Sequence, residues 1–166
     1  MTPPARASAS WDVASEAETE ALGAMLARHR PDLSSAPFVI ELHGELGAGK
    51  TTFARGALTA LGAAPPIKSP SYALLEIYTL ESLVALHLDL YRLIDPAELE
   101  QLGLRDYHRP QHLWLIEWPE RGTGHLPVPD LELRFYVRPQ GHRIEAQSCS
   151  EAGAVTLNTA RMATRH

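Results

Sequence analysis

Cysteine and lysine are both scarce in this chain. A single cysteine, Cys149, excludes an intrachain disulfide and any zinc site built on several thiolates. Of the fifteen basic residues thirteen are arginine, and the only lysines are Lys50 and Lys68. A composition that favours arginine yet keeps lysine at two places points to sites wanting a compact ammonium, not a planar guanidinium. No stretch approaches the ~20 apolar residues needed to cross a bilayer. Met1 to Trp11 holds a lone Arg6 and no apolar run, so it does not read as a secretory signal, and a cytoplasmic location is expected. The net charge is −5 and the basic residues are scattered, which argues against a domain whose main task is to hold nucleic acid. Neither H-E-x-x-H nor Asn-Lys-x-Asp occurs, so a zincin and a guanine-reading GTPase are both disfavoured. His108 and His112 are four apart, but Pro110 between them prevents a regular helix from aligning them.

What is present fits one globular domain of 166 residues, with 45% hydrophobic and 21% charged residues. Residues 1–14 are expected to be a flexible N-terminus, 15–150 the folded domain and 151–166 a frayed tail. Ser15-Glu16-Ala17-Glu18 reads as a capping box opening a helix to about Arg30, which buries Leu22, Met25 and Leu26. Phe38 to Leu42 is a short, mostly apolar strand, followed by a glycine-rich turn and a helix from Lys50 to about Leu61. Tyr72–Leu80 and Leu83–Leu90 read as a hairpin around Glu81-Ser82, and Asp95-Pro96 opens a further helix. His112 to Glu117 is apolar until its last residue, as in a buried strand that ends at a site. Leu131–Val137 and Arg143–Gln147 close the domain as an antiparallel pair. The expected fold class is therefore α/β: a single domain with a mixed, largely parallel sheet, helices on both faces and C-terminal antiparallel strands.

Gly44-Glu45-Leu46-Gly47-Ala48-Gly49-Lys50-Thr51 matches G-x-x-x-x-G-K-[ST] in full. The glycines let backbone amides wrap a phosphate, and the helix that follows presents its positive end. Lys50 would reach the β- and γ-phosphates, and the Thr51 hydroxyl would ligate Mg²⁺. A chance match is on the order of one in a hundred for a chain of this length, and the flanking strand and helix lower it further.

Such a loop needs a carboxylate at the end of a neighbouring strand to hold Mg²⁺ directly or through water. Asp89 closes the run Leu83 to Leu88, and Glu117 closes Leu113 to Ile116. An acidic group ending an apolar run is costly unless it meets a cation or donors. The residues alone leave open which of the two is the direct ligand. Lys68-Ser69-Pro70-Ser71-Tyr72 lies where P-loop proteins often place a loop that senses the γ-phosphate.

Four motifs in order now resemble one family: Gly44 to Phe53 (including Thr52), Lys68 to Tyr72, His87-Leu88-Asp89-Leu90-Tyr91-Arg92, and Glu117-Trp118-Pro119. Together, over roughly Ser15 to Arg143, they look like the TsaE (YjeE) family. The resemblance implies the ATPase of bacterial tRNA threonylcarbamoyladenosine biosynthesis, working with the TsaB–TsaD pair and touching tRNA only through it. It implies that Glu45, Leu46, Gly47, Ala48, Gly49, Lys50, Thr51 and Thr52 bind ATP, with Trp118 beside the nucleotide and Thr19 near the base. It further implies Thr51, Glu117 and Asp89 around Mg²⁺, with Asp89, Glu117 and Lys50 serving hydrolysis. Lys68, Ser69, Ser71 and Tyr72 correspond to a switch-like loop, where Ser71 stands in place of the usual threonine.

Two other readings use the same cradle. A small-molecule kinase would add an arginine-bearing lid, for which Arg105 and Arg109 are available. A nucleotide-gated binding module with negligible turnover would need nothing more.

Overall fold

The computed structural model describes residues 6–70 and 72–164. Seven strands form one sheet: β1 (Ser8–Val13), β2 (Phe38–Gly44), β3 (Leu75–Thr79), β4 (Val84–Asp89), β5 (His112–Glu117), β6 (Leu131–Val137) and β7 (His142–Ser148). Their order across the sheet is β1-β7-β6-β2-β5-β4-β3. The centre is parallel, with β2 between β5 and β6, and β4 beyond β5. The flanks are antiparallel, β3 against β4 on one side and β6, β7 and β1 on the other.

Strand alternation splits the core in two. Ile40, Leu42, Ala85, Leu113, Leu115, Leu131 and Leu133 pack beneath α1 (Glu16–Arg28), α2 (Lys50–Ala60) and α3 (Glu151–Ala163). The opposite set, Val39, Leu86, Leu88, Trp114 and Ile116, meets Leu99 and Leu104 from short 3-10 helices at Pro96–Leu102 and Leu104–Tyr107. Helix α1 begins at a cap in which Ser15 Oγ accepts from Glu18 N, and Glu18 Oε2 in turn accepts from Ala14 N. It presses closely on α2: a Cβ on Gly23 would lie 2.1 Å from Phe53 O, and one on Gly56 2.1 Å from Glu20 O. Arg55 closes the rim of that contact on Glu20 at 2.9 Å.

Four expectations are corrected. The sheet is mixed but not largely parallel, since half its pairings are antiparallel. The helices on the second face are short 3-10 segments, including the one opened by Asp95-Pro96, while the three α-helices share the first face. Within residues 1–14, Ser8–Val13 is an ordered edge strand, because each of its residues pairs with β7 and Val13 enters the core. Within 151–166, Glu151–Ala163 is a helix capped by Ser150 Oγ on Gly153 N, with Ala154, Leu157 and Ala160 buried. No helix among the described residues is long and apolar enough to cross a membrane.

Candidate functional site

Three parallel strands, β2, β4 and β5, end on the same edge of the sheet, where α/β folds place ligands. Gly44 ends β2, Asp89 ends β4 and Glu117 ends β5, and Asp89 and Glu117 are directly paired in register. From Gly44 the chain turns through Gly47 (φ 78°) and Gly49 (φ 103°) into α2, and both angles lie where side chains other than glycine are strained. The first turn of α2, whose amides have no partner within the helix, begins at this edge.

The side chains of Lys50, Thr51, Asp89 and Glu117 converge there. Lys50 is 4% exposed, and its ammonium donates to Gly44 O at 2.5 Å and Glu45 O at 2.8 Å. Burial pushes the Lys50 pKa down, while Glu117, Asp89, Glu120 and Glu45 pull it back up. The Thr51 hydroxyl donates to Glu117, with Oε1 at 2.8 Å and Oε2 at 3.1 Å. Asp89 accepts from Ser69 Oγ through Oδ2 and from Tyr91 N at 3.0 Å through Oδ1. Trp118 stands at φ 57°, a left-handed conformation uncommon for a bulky residue, which brings its ring 4.4 Å from the Lys50 ammonium.

A cavity of about 400 Å³ opens over this group, walled by Leu46 to Thr52, Thr19, Ser69, Asp89, Glu117 and Trp118. Larger hollows exist elsewhere, of about 690 and 740 Å³, but neither gathers a buried ammonium with buried carboxylates. Thr19 is 2% exposed and its hydroxyl donates to Ser15 O, so it presents its methyl group toward Gly49. Glu45 is exposed and gives Lys50 its carbonyl as an acceptor, its carboxylate acting only through its charge. In the segment expected to act as a switch, Ser69 reaches the cavity, whereas Lys68 is exposed and Tyr72 is 84% exposed. Ser71 lies outside the described residues. Arg105 lines the hollow formed with Leu104 and Trp114 on the other sheet face, away from this cavity.

Tyr91, Arg92, Glu16 and His142 also line the cavity, and sequence reasoning did not single them out as site residues. Arg92 lies over the Tyr72 ring at 4.4 Å, and Tyr91 stacks against Trp118 at 5.1 Å between centroids. His142 Nε2 sits 3.3 Å from Gly47 O. Arg92 was within reach as part of the run His87 to Arg92, but His142 reaches the loop through a contact 95 residues away in sequence, with no local signal.

The donor set is one of hard oxygens (Thr51 hydroxyl, two carboxylates) beside an ammonium and the N-terminal end of a helix. Such a set fits Mg²⁺ and a chain of phosphates. The sequence model of the family described as "Threonylcarbamoyl adenosine biosynthesis protein TsaE" matches residues 13–145. The chain belongs to the TsaE family. It is 48% identical over 107 residues to the tRNA threonylcarbamoyladenosine biosynthesis protein TsaE of Haemophilus influenzae, covering 64% of this chain and 68% of that one. The protein of the same name in Bacillus subtilis is 33% identical over 123 residues, 74% of each chain. In fold, the chain superposes on the crystal structure of Bacillus subtilis YdiB with a TM-score of 0.77, covering 96% of this chain and 98% of that one at 22% identity. As a TsaE family member it takes part in threonylcarbamoyladenosine biosynthesis, and the matched region contains all four converging side chains.

Proposed function

We propose that this chain is the ATP-hydrolysing component of tRNA threonylcarbamoyladenosine biosynthesis, slow alone and activated by a TsaB–TsaD complex. The observation that supports this most is the Thr51–Glu117 hydrogen bond beside the buried Lys50 ammonium. A hydroxyl that donates to a strand-end carboxylate keeps its oxygen lone pairs free for a cation, and the lysine next to it suits the phosphates.

In this reading Gly44 to Thr52 cradle the phosphates through backbone amides. Lys50 exchanges its two carbonyl partners for phosphate oxygens, which accept more strongly because they are charged. Thr51, Glu117 and Asp89 would hold Mg²⁺, which would supply positive charge to neutralise the phosphates. Trp118, Tyr91 and Thr19 supply the apolar walls, and Asp89 holds Ser69 and with it the segment that would respond to the γ-phosphate. Arg92 also lies on the cavity wall. Its guanidinium is turned onto Tyr72, so high turnover would require a rearrangement that a partner could drive, and P-loop proteins gain about 10³–10⁵ from a residue supplied that way. The chain would not form the threonylcarbamoyl bond itself.

Calorimetric titration with ATP and Mg²⁺ tests the cradle. The wild type should bind, and Lys50→Ala should lose at least about a hundredfold in affinity, or ~2.7 kcal/mol. Equal affinity in the two proteins would place the nucleotide elsewhere.

A further inference from the structure

Glu117 is held from two sides, and only one of them belongs to the glycine-rich loop. On the other, His87 Nε2 lies 2.7 Å from Glu117 Oε2. His87 is completely buried in β4, two residues before Asp89 and on the same sheet face, with Leu115 directly opposite on β5. Its second ring nitrogen, Nδ1, is buried and meets no hydrogen-bond partner among the described residues.

That asymmetry places a hydrogen. A carboxylate oxygen accepts, so the hydrogen between the two groups belongs to Nε2. Nδ1 has no partner among the described residues to compete for it. Packing alone does not account for the ring, because an apolar side chain such as neighbouring Ala85 or Leu115 would fill the space without stranding a ring nitrogen.

A single donor from a rigid ring fixes the direction of one carboxylate oxygen and leaves the remaining lone pairs for other partners. We propose that His87 is a positioning residue, whose Nε2 contact turns Glu117 toward a divalent cation shared with Thr51. Partners of this kind behind a metal ligand typically alter metal affinity about 10–100-fold when removed. The inference rests on the Mg-ATP reading given above.

The test compares wild type, His87→Gln and His87→Met by calorimetry with a non-hydrolysable ATP analogue, without metal and across a Mg²⁺ series. His87→Gln keeps a donor near the Nε2 position; His87→Met fills similar space with none. The expected result is that His87→Met needs about tenfold more Mg²⁺ for half-saturation, with metal-free nucleotide affinity unchanged, and that His87→Gln stays near wild type. An unchanged Mg²⁺ requirement in His87→Met, or a parallel fall in metal-free affinity, would overturn the inference. A second measurement needs no variant: ¹⁵N shifts of the wild-type histidine side chains should report a hydrogen on His87 Nε2. A bare Nε2 would overturn it equally. Wild type that binds the analogue with no Mg²⁺ dependence would instead strike the Mg-ATP reading itself.

Discussion

The Thr51 hydroxyl and the Glu117 carboxylate meet at 2.8 Å across 66 residues of sequence, tying the first turn of α2 to the end of β5. Because Glu117 is only 2% exposed, its oxygens rely on the donors around them in place of water. Thr51→Val removes one donor at nearly constant volume. It should destabilise the fold by about 1–2 kcal/mol and abolish the Mg²⁺-dependent part of ATP affinity. Urea unfolding and calorimetry check the two effects separately.

Asp89 ties the Ser69 segment to the sheet edge through Ser69 Oγ and also accepts from Tyr91 N. In Asp89→Ala both donors lose their acceptor. Hydrogen exchange should quicken in the backbone around Pro70 and at Tyr91, ATP should still bind, and hydrolysis should be lost. Hydrolysis at the wild-type rate in this variant would remove Asp89 from the chemistry.

The α1–α2 contact leaves no room for a methyl group at Gly56, where an added Cβ would sit 2.1 Å from the Glu20 carbonyl. Helix propensity favours alanine over glycine by about 1 kcal/mol, but a backbone clash outweighs that gain. Gly56→Ala should therefore destabilise the protein by roughly 1–3 kcal/mol in denaturant titrations. A stabilised variant would mean that the helices can separate freely.

Cys149 should be a sluggish thiol. Burial, first, and then Glu132, Glu41 and Asp130 push its pKa from 9.0 up to about 11. At pH 8 it should alkylate about a hundredfold more slowly than an unperturbed cysteine. The folded state favours the neutral thiol, so this group's contribution to stability is complete below pH 9 and is lost as pH rises from there through about 11. Iodoacetamide kinetics and unfolding titrations across that range measure both consequences.

Much of the site was legible because its chemistry lies in short contiguous runs. Gly44 to Thr51 is a local backbone device, and Asp89 and Glu117 betray themselves as charges closing apolar strands. Residues that reach the site through distant contacts, such as His142, left no local mark. Strand β1 was missed because Ser8-Ala9-Ser10-Trp11-Asp12-Val13 has weak alternation and gains its structure from pairing with β7. Helix α3 was missed because its buried stripe of Ala154, Leu157 and Ala160 is small, and Gly153 weakens its intrinsic propensity. That glycine fits because a side chain there would strike the Asp130 carbonyl. The balance of parallel and antiparallel pairings was illegible for a similar reason, since register is set across the sheet and not along a strand.

ATP turnover by the purified chain, alone and with a TsaB–TsaD pair from the same source, tests the central claim most directly. The expected result is slow turnover alone, marked stimulation by the pair, and loss of both in Lys50→Ala. Fast turnover alone with no response to the pair would contradict the account.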